Sequence, residues 1–107
     1  IDLQAAQSRE TLHRYRETVL NAFREVEQSL AAEDWLIGRE QALAATAKQT
    51  ETSRALAIYA YRNGSVDILT LLDSYRSTLI ARTALLDARL QLLNNRLDLY
   101  LALGGGV

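Results

Sequence analysis

The chain has no cysteine, no proline and no methionine, and only five glycines and one histidine among its 107 residues. Without cysteine there is neither a disulfide framework nor a thiolate ligand, a composition compatible with an oxidising compartment. Without proline the strongest helix breaker is missing. Aromatic residues are scarce at 7%, and Ala and Leu supply most of the 49% hydrophobic content, as in long packed helices. Neither sign of charge dominates: twelve basic and thirteen acidic residues are interspersed and leave a net charge of −1. No block of the chain can therefore track a phosphate backbone, and nucleic acid is not an expected partner. No apolar run approaches the 18 residues of a membrane-spanning helix, and the longest, Ala55 to Tyr61, contains no charge but is far too short. The chain opens on Ile1-Asp2-Leu3 rather than on Met or a charged and then apolar leader, which is the expectation for a segment of something longer.

What is present is helix-forming sequence interrupted once. Residues 2–62 are rich in Ala, Glu, Gln, Arg and Leu and hold a single glycine, Gly38, so they read as one helix of about 90 Å with a local weak point. The one strong turn signal is Tyr61-Arg62-Asn63-Gly64-Ser65-Val66-Asp67. Beyond it Asp67 suits a helix N-terminus, and a second helix is expected over about 67–103, stopped by Gly104-Gly105-Gly106. The fold class is thus all-α, a long antiparallel two-helix coiled-coil hairpin spanning 1–107 with its tip at about 63–66. In the first helix the apolar stripes drift: Leu12, Val19 and Val26 lie seven apart, then Phe23, Leu30, Ile37 and Ala44 on a neighbouring line. The second is stricter, with Leu71, Leu85, Leu92 and Leu99 in one heptad register interrupted by Thr78, and Leu72, Leu79, Leu86, Leu93 and Tyr100 in the next. Two helices joined once cannot enclose a globular core, and two seams need neighbours on both sides. Self-association or assembly into a larger bundle is expected, with Leu86 and Leu93 among the residues it covers.

Catalytic machinery has little to build on, and the chain is not expected to be an enzyme or to hold a cofactor. His13 has only Glu10 and Glu17 at helical spacing to complete a metal shell, and it is expected to be an ordinary helix residue. Ser and Thr are scattered without a nucleophile elbow or a second histidine. Glu33-Asp34 and Asp67 with Asp73 are paired carboxylates of a kind common on solvated helices. The terminal glycines lack the Lys-Ser or Lys-Thr of a phosphate loop. Trp35 is expected to pack against a neighbouring element, and Glu10 with Arg14 and Arg24 with Gln28 to support the helix.

The run from Ala57 to Arg76, with its Tyr61-to-Gly64 turn and its Ile68-Leu69-Thr70-Leu71-Leu72-Asp73 stretch, resembles the C-terminal part of the TolC-like outer membrane efflux channels. So do the ending Leu101-Ala102-Leu103-Gly104-Gly105-Gly106 and the segment Arg24-Glu25-Val26-Glu27, and together they cover nearly the whole chain. The resemblance implies one hairpin of a homotrimeric α-barrel crossing the periplasm below an outer-membrane β-barrel that is not part of this segment. Its partners are a periplasmic adaptor and an inner-membrane pump. It implies that Tyr61, Arg62, Asn63, Gly64, Ser65 and Val66 form the tip where the adaptor docks. Asp73 would take the place of an acidic residue lining the constricted tip. Two positions depart from the pattern: Thr70 stands where a second acidic residue is frequent, and Val66 where some relatives carry Arg. The competing expectation is a coiled-coil adaptor or scaffold hairpin that only holds partners at a set distance; it explains the periodicity but not the turn and the Gly-rich ending in family order.

Overall fold

The computed structural model describes residues 2–104 of the chain; Gly105 and Gly106, expected to help stop the second helix, lie outside the described residues. Two helices account for most of the described residues: α1, Asp2–Arg62, and α2, Ile68–Ala102. α1 runs through Gly38 without interruption. The structure divides into two units, one made of the residues up to Glu33 with those from Asn95 on, the other of Asp34–Asn94.

In the Asp34–Asn94 unit the two helices run antiparallel, because partners fall along α1 as they rise along α2. Arg54 lies over the Tyr75 ring, the Thr78 hydroxyl faces the Thr50 carbonyl, and Glu51 pairs with Arg82 and Glu40 with Arg89. A series of covered residues runs along α1 through Leu36, Glu40, Leu43, Ala47, Thr50, Arg54 and Ala57, and another along α2 through Leu71, Ser74, Thr78, Ala81, Leu85, Ala88 and Leu92; Ile37, Arg39, Ala44, Ile58 and Ala60 of α1 and Ala84 of α2 are half-buried beside them. Both sets step by alternating threes and fours, the spacing of a left-handed coiled-coil seam. The seam is poor in bulk. Its most buried members are Ala88 and Thr78, each 1% exposed, with Ala47 and Ala81 close behind. Small side chains let the backbones approach, and Thr78, the interruption in the leucine register, keeps its hydroxyl satisfied by donating to the Ser74 carbonyl at 2.9 Å and the Thr50 carbonyl at 3.3 Å.

In the other unit the same spacing continues through Ala22, Val26, Ser29 and Glu33 of α1 and Asn95, Leu99 and Ala102 of α2. Residues 2–21 of α1 are exposed throughout, including Leu12, Tyr15, Val19 and Leu20.

The stripes of α1 divide: Val26, Ile37 and Ala44 are half-buried, whereas Leu12, Val19, Phe23 and Leu30 are exposed, as a stripe that drifts between more than one neighbour leaves them in a two-helix pairing. Trp35, expected to pack against a neighbouring element, is instead 65% exposed, with the Arg39 guanidinium 5.9 Å from its ring centre. On α2 the two leucine registers separate cleanly: Leu71, Leu85, Leu92 and Leu99 close the hairpin, while Leu86 and Leu93 remain 68% and 63% exposed.

Neighbouring leucines on α2 should therefore behave differently in the isolated chain. Leu85→Ala should destabilise it by about 1–3 kcal/mol and Leu86→Ala by about 0.5 kcal/mol or less, as read from chemical denaturation at low concentration. Equal losses at both positions would contradict this assignment of faces.

Candidate functional site: the hairpin tip and the open seam of α2

The tip is built from two helix ends that satisfy their own backbone. At the end of α1 the Ser65 amide donates to the Ala60 carbonyl at 2.8 Å and the Gly64 amide to the Tyr61 carbonyl at 3.0 Å, the paired bonds of a Schellman cap. That cap needs a left-handed residue, and Gly64 supplies it with φ of 73°. At the start of α2, Asp67 stands just outside the helix as its N-cap: Oδ1 accepts the Thr70 amide at 2.9 Å and the Thr70 hydroxyl at 2.7 Å. The same two bonds, the hydroxyl first and then the amide, hold the Asp67 carboxyl below its ordinary value. Thr70, the position that departs from the family pattern, thus serves the cap of α2.

Of the residues expected at the docking tip, Tyr61, Arg62, Asn63, Gly64 and Ser65 are exposed and Val66 is half-buried. Asp73 is exposed one turn into α2 and stands apart from the turn itself, next in sequence to the outward-facing Leu72. Leu69 and Leu72 are exposed close behind the cap.

Those two leucines begin a second seam that periodicity along α2 shows only in part. Leu69, Leu72, Arg76, Leu79, Thr83, Leu86, Leu90 and Leu93 also step by threes and fours, and all are exposed; the spacing continues at the exposed Leu97 and Tyr100. At 3.5 residues per turn the open seam and the hairpin seam lie roughly 150° apart around α2, so one neighbour cannot cover both. Between them runs a row of arginines at heptad spacing, and each is taken by α1: Arg82 by Glu51, Arg89 by Glu40 and, in the other unit, Arg96 by Glu33. Asp73 and Asp87 flank the open seam on its other side. Among the described residues no three His, Cys, Asp or Glu side chains gather as a metal site.

Two of these arginines depress the acids they meet. Hydrogen bonding from Arg96, aided by Asn95, holds the Glu33 carboxyl below the usual glutamate value, and hydrogen bonding from Arg82, reinforced by its charge, does the same for Glu51. These pairs are solvated and orient the helices more than they stabilise them.

The described residues thus form a helical hairpin that closes on a lean seam and leaves a second, leucine-rich seam uncovered. The family model described as outer membrane efflux protein matches residues 1–105, and the chain belongs to that family. It is 36% identical over 106 residues to outer membrane protein OprJ of Pseudomonas aeruginosa, with 99% of the chain and 22% of the relative covered. It is 32% identical over 110 residues to the cation efflux system protein CusC of Escherichia coli K12, covering 99% of the chain and 23% of the relative. To the pyoverdine export outer membrane protein OpmQ of Pseudomonas putida it is 38% identical over 106 residues, covering 97% of the chain and 22% of the relative. The chain spans about a fifth of the length of these relatives. No solved structure matches it.

Acid should loosen the hairpin. Glu33, Glu51 and Asp67 titrate lower when folded than when unfolded, so the unfolded chain binds protons first as pH falls. Their stabilisation is complete above the ordinary glutamate value of 4.5 and is lost as pH drops through the lower folded values. Thermal melts followed by circular dichroism between neutral pH and pH 2 should show a falling midpoint, and Glu51→Gln should flatten that fall. A midpoint that holds steady or rises across this range would contradict the pairing.

Proposed function

We propose that this chain is a periplasmic hairpin of the outer-membrane channel component of a tripartite efflux or export system. Three subunits together would form the α-barrel conduit, with a periplasmic adaptor and an inner-membrane pump as partners. The observation that carries this reading is the open seam of α2: an uninterrupted three-four series from Leu69 to Tyr100 calls for a packed helical neighbour along its length. Membership in the outer membrane efflux protein family supplies the context. On the family resemblance, contact with the membrane is assigned to the β-barrel of the parent protein; no described helix is long and apolar enough to cross a bilayer. Relatives named for cations, toluene and pyoverdine share this region, so cargo selection is assigned to other parts of the pump.

Within that reading, the exposed turn from Tyr61 to Val66 is the adaptor-docking tip. Its rigidity comes from the Schellman cap and the Asp67 cap, which present the same small surface without help from neighbours. Asp73 helps define a constriction where subunits meet. Carboxylates gathered round a narrow axis repel one another and attract cations, an effect that weakens with salt.

Two substitutions in the full-length channel separate these roles. Gly64→Val places a β-branched residue at φ of 73°, where space is open but the backbone is strained, and should lower drug export at unchanged surface abundance. Gly64→Ala should be milder. Asp73→Ala should change cation block and single-channel conductance while leaving assembly intact. If Gly64→Val leaves export untouched and Asp73→Ala leaves cation block unchanged, the hairpin is a passive spacer.

A further inference from the structure

We propose that the open seam of α2 is self-complementary: in the isolated chain it closes on α2 of a second copy, antiparallel, about a two-fold axis at Ala81. Every residue this needs lies in the Asp34–Asn94 unit. Within that unit the seam holds eight positions, six of them leucines that are each more than half exposed. Two antiparallel helices with seams that step by threes and fours pair each row of one with the other row of its partner. Laid on itself about Ala81, the series closes without remainder. Leu69 meets Leu93 of the second copy and Leu72 meets Leu90 of the second copy, and the two-fold repeats both contacts at the far end. Nearer the axis Leu79 meets Thr83 of the second copy, a large residue against a small one, and Arg76 meets Leu86 of the second copy.

Charge selects this register. Arg76 is the one cation in this stretch of the seam, and among the described residues no ion pair holds it. Opposite Leu86 of the second copy, it lies beside Asp87 of the second copy, the acid that flanks the seam on the side where Arg76 stands. Within its own chain Asp87 accepts only a long bond, from the Gln91 side-chain amide at 3.3 Å. The two-fold makes the Arg76–Asp87 pair twice. A shift of one heptad either way sets Arg76 against Leu79 or Leu93, with Ile80 or Asn94 in place of the acid. On the other flank the axis brings the two copies of Arg82 together, but each is already met by Glu51 of its own chain, so their charges do not approach bare. The leucines supply the driving force and the charged pair sets the register, the division between core and flank found in coiled coils. This pairing does not depend on the proposed channel; in a conduit the same face would leave its second copy before a neighbouring helix covered it.

Sedimentation of the 107-residue chain and of two charge-reversed variants tests this. The parent should exchange between monomer and dimer, with no larger species. Arg76→Asp alone and Asp87→Arg alone each set like charges together at both ends of the pairing, and each should weaken dimerisation by about tenfold or more. Mixed in equal amounts, the two variants should form a heterodimer about as tight as the parent dimer. Positions 76 and 87 lie eleven residues, roughly 16 Å, apart along one helix, so the rescue can be made only between chains. Both residues are exposed, so circular dichroism at low concentration should find the fold of each variant unchanged. The pairing is overturned if the parent stays monomeric at high micromolar concentration, or if it grows beyond a dimer, as a head-to-tail contact of α2 with the back of α1 would make it do. It is equally overturned if the mixture associates no better than its components.

Discussion

The structure turns on the division of α2 into two faces, one closed by α1 and one left open to solvent. Its hairpin seam is built of alanine, serine, threonine and asparagine between widely spaced leucines, and it draws α1 close without burying much apolar surface. Its other seam, roughly on the far side of the helix, holds the larger leucines and leaves them in solvent. The hydrophobic material is thus distributed against the isolated hairpin and in favour of whatever lies beyond it. In the assembly we propose, the open seam would add stability that the isolated hairpin lacks, which is how helices with no globular core could build a thin-walled tube.

The hairpin itself was legible in the sequence because its determinants are local. Absence of proline, long runs of good helix formers and a single Asn-Gly turn lead to two helices, and the turn chemistry was readable to the residue: Gly64 takes the left-handed position and Asp67 the cap. On α2 the strict heptads made both faces visible, including the prediction that a two-helix pairing would satisfy one and expose the other. On α1 the same method reached only part of the seam. The drifting stripes include Val26, Ile37 and Ala44, which are half-buried, and Leu12, Val19, Phe23 and Leu30, which are exposed, but they pass over Ser29, Glu33, Glu40, Ala47 and Thr50 on the α2 side. A seam made by close approach of small residues and by ion pairs carries almost no hydrophobic signal. Its trace in the sequence is the matched heptad spacing of glutamates on one helix and arginines on the other.

The candidate site was legible to different depths. The tip follows from the turn, and the exposure of Tyr61 to Ser65 follows from its geometry. The arrangement around Thr70 did not: a threonine in place of a frequent acid looked like a lost charge, whereas its hydroxyl and amide both serve the Asp67 cap. Trp35 was expected to be packed and is instead exposed, with the Arg39 guanidinium over its ring.

The central claim, that the open seam of α2 is an interface and not a solvated face, is tested most directly by thiol labelling at matched positions on its two faces. With Leu86→Cys and Ala88→Cys introduced separately, the isolated 107-residue chain at low concentration should label quickly at position 86 and slowly at position 88, where Ala88 is 1% exposed. In the full-length protein in its native outer membrane, both positions should be protected. Rapid labelling at position 86 in the full-length protein, matching that of the isolated chain, would contradict the account.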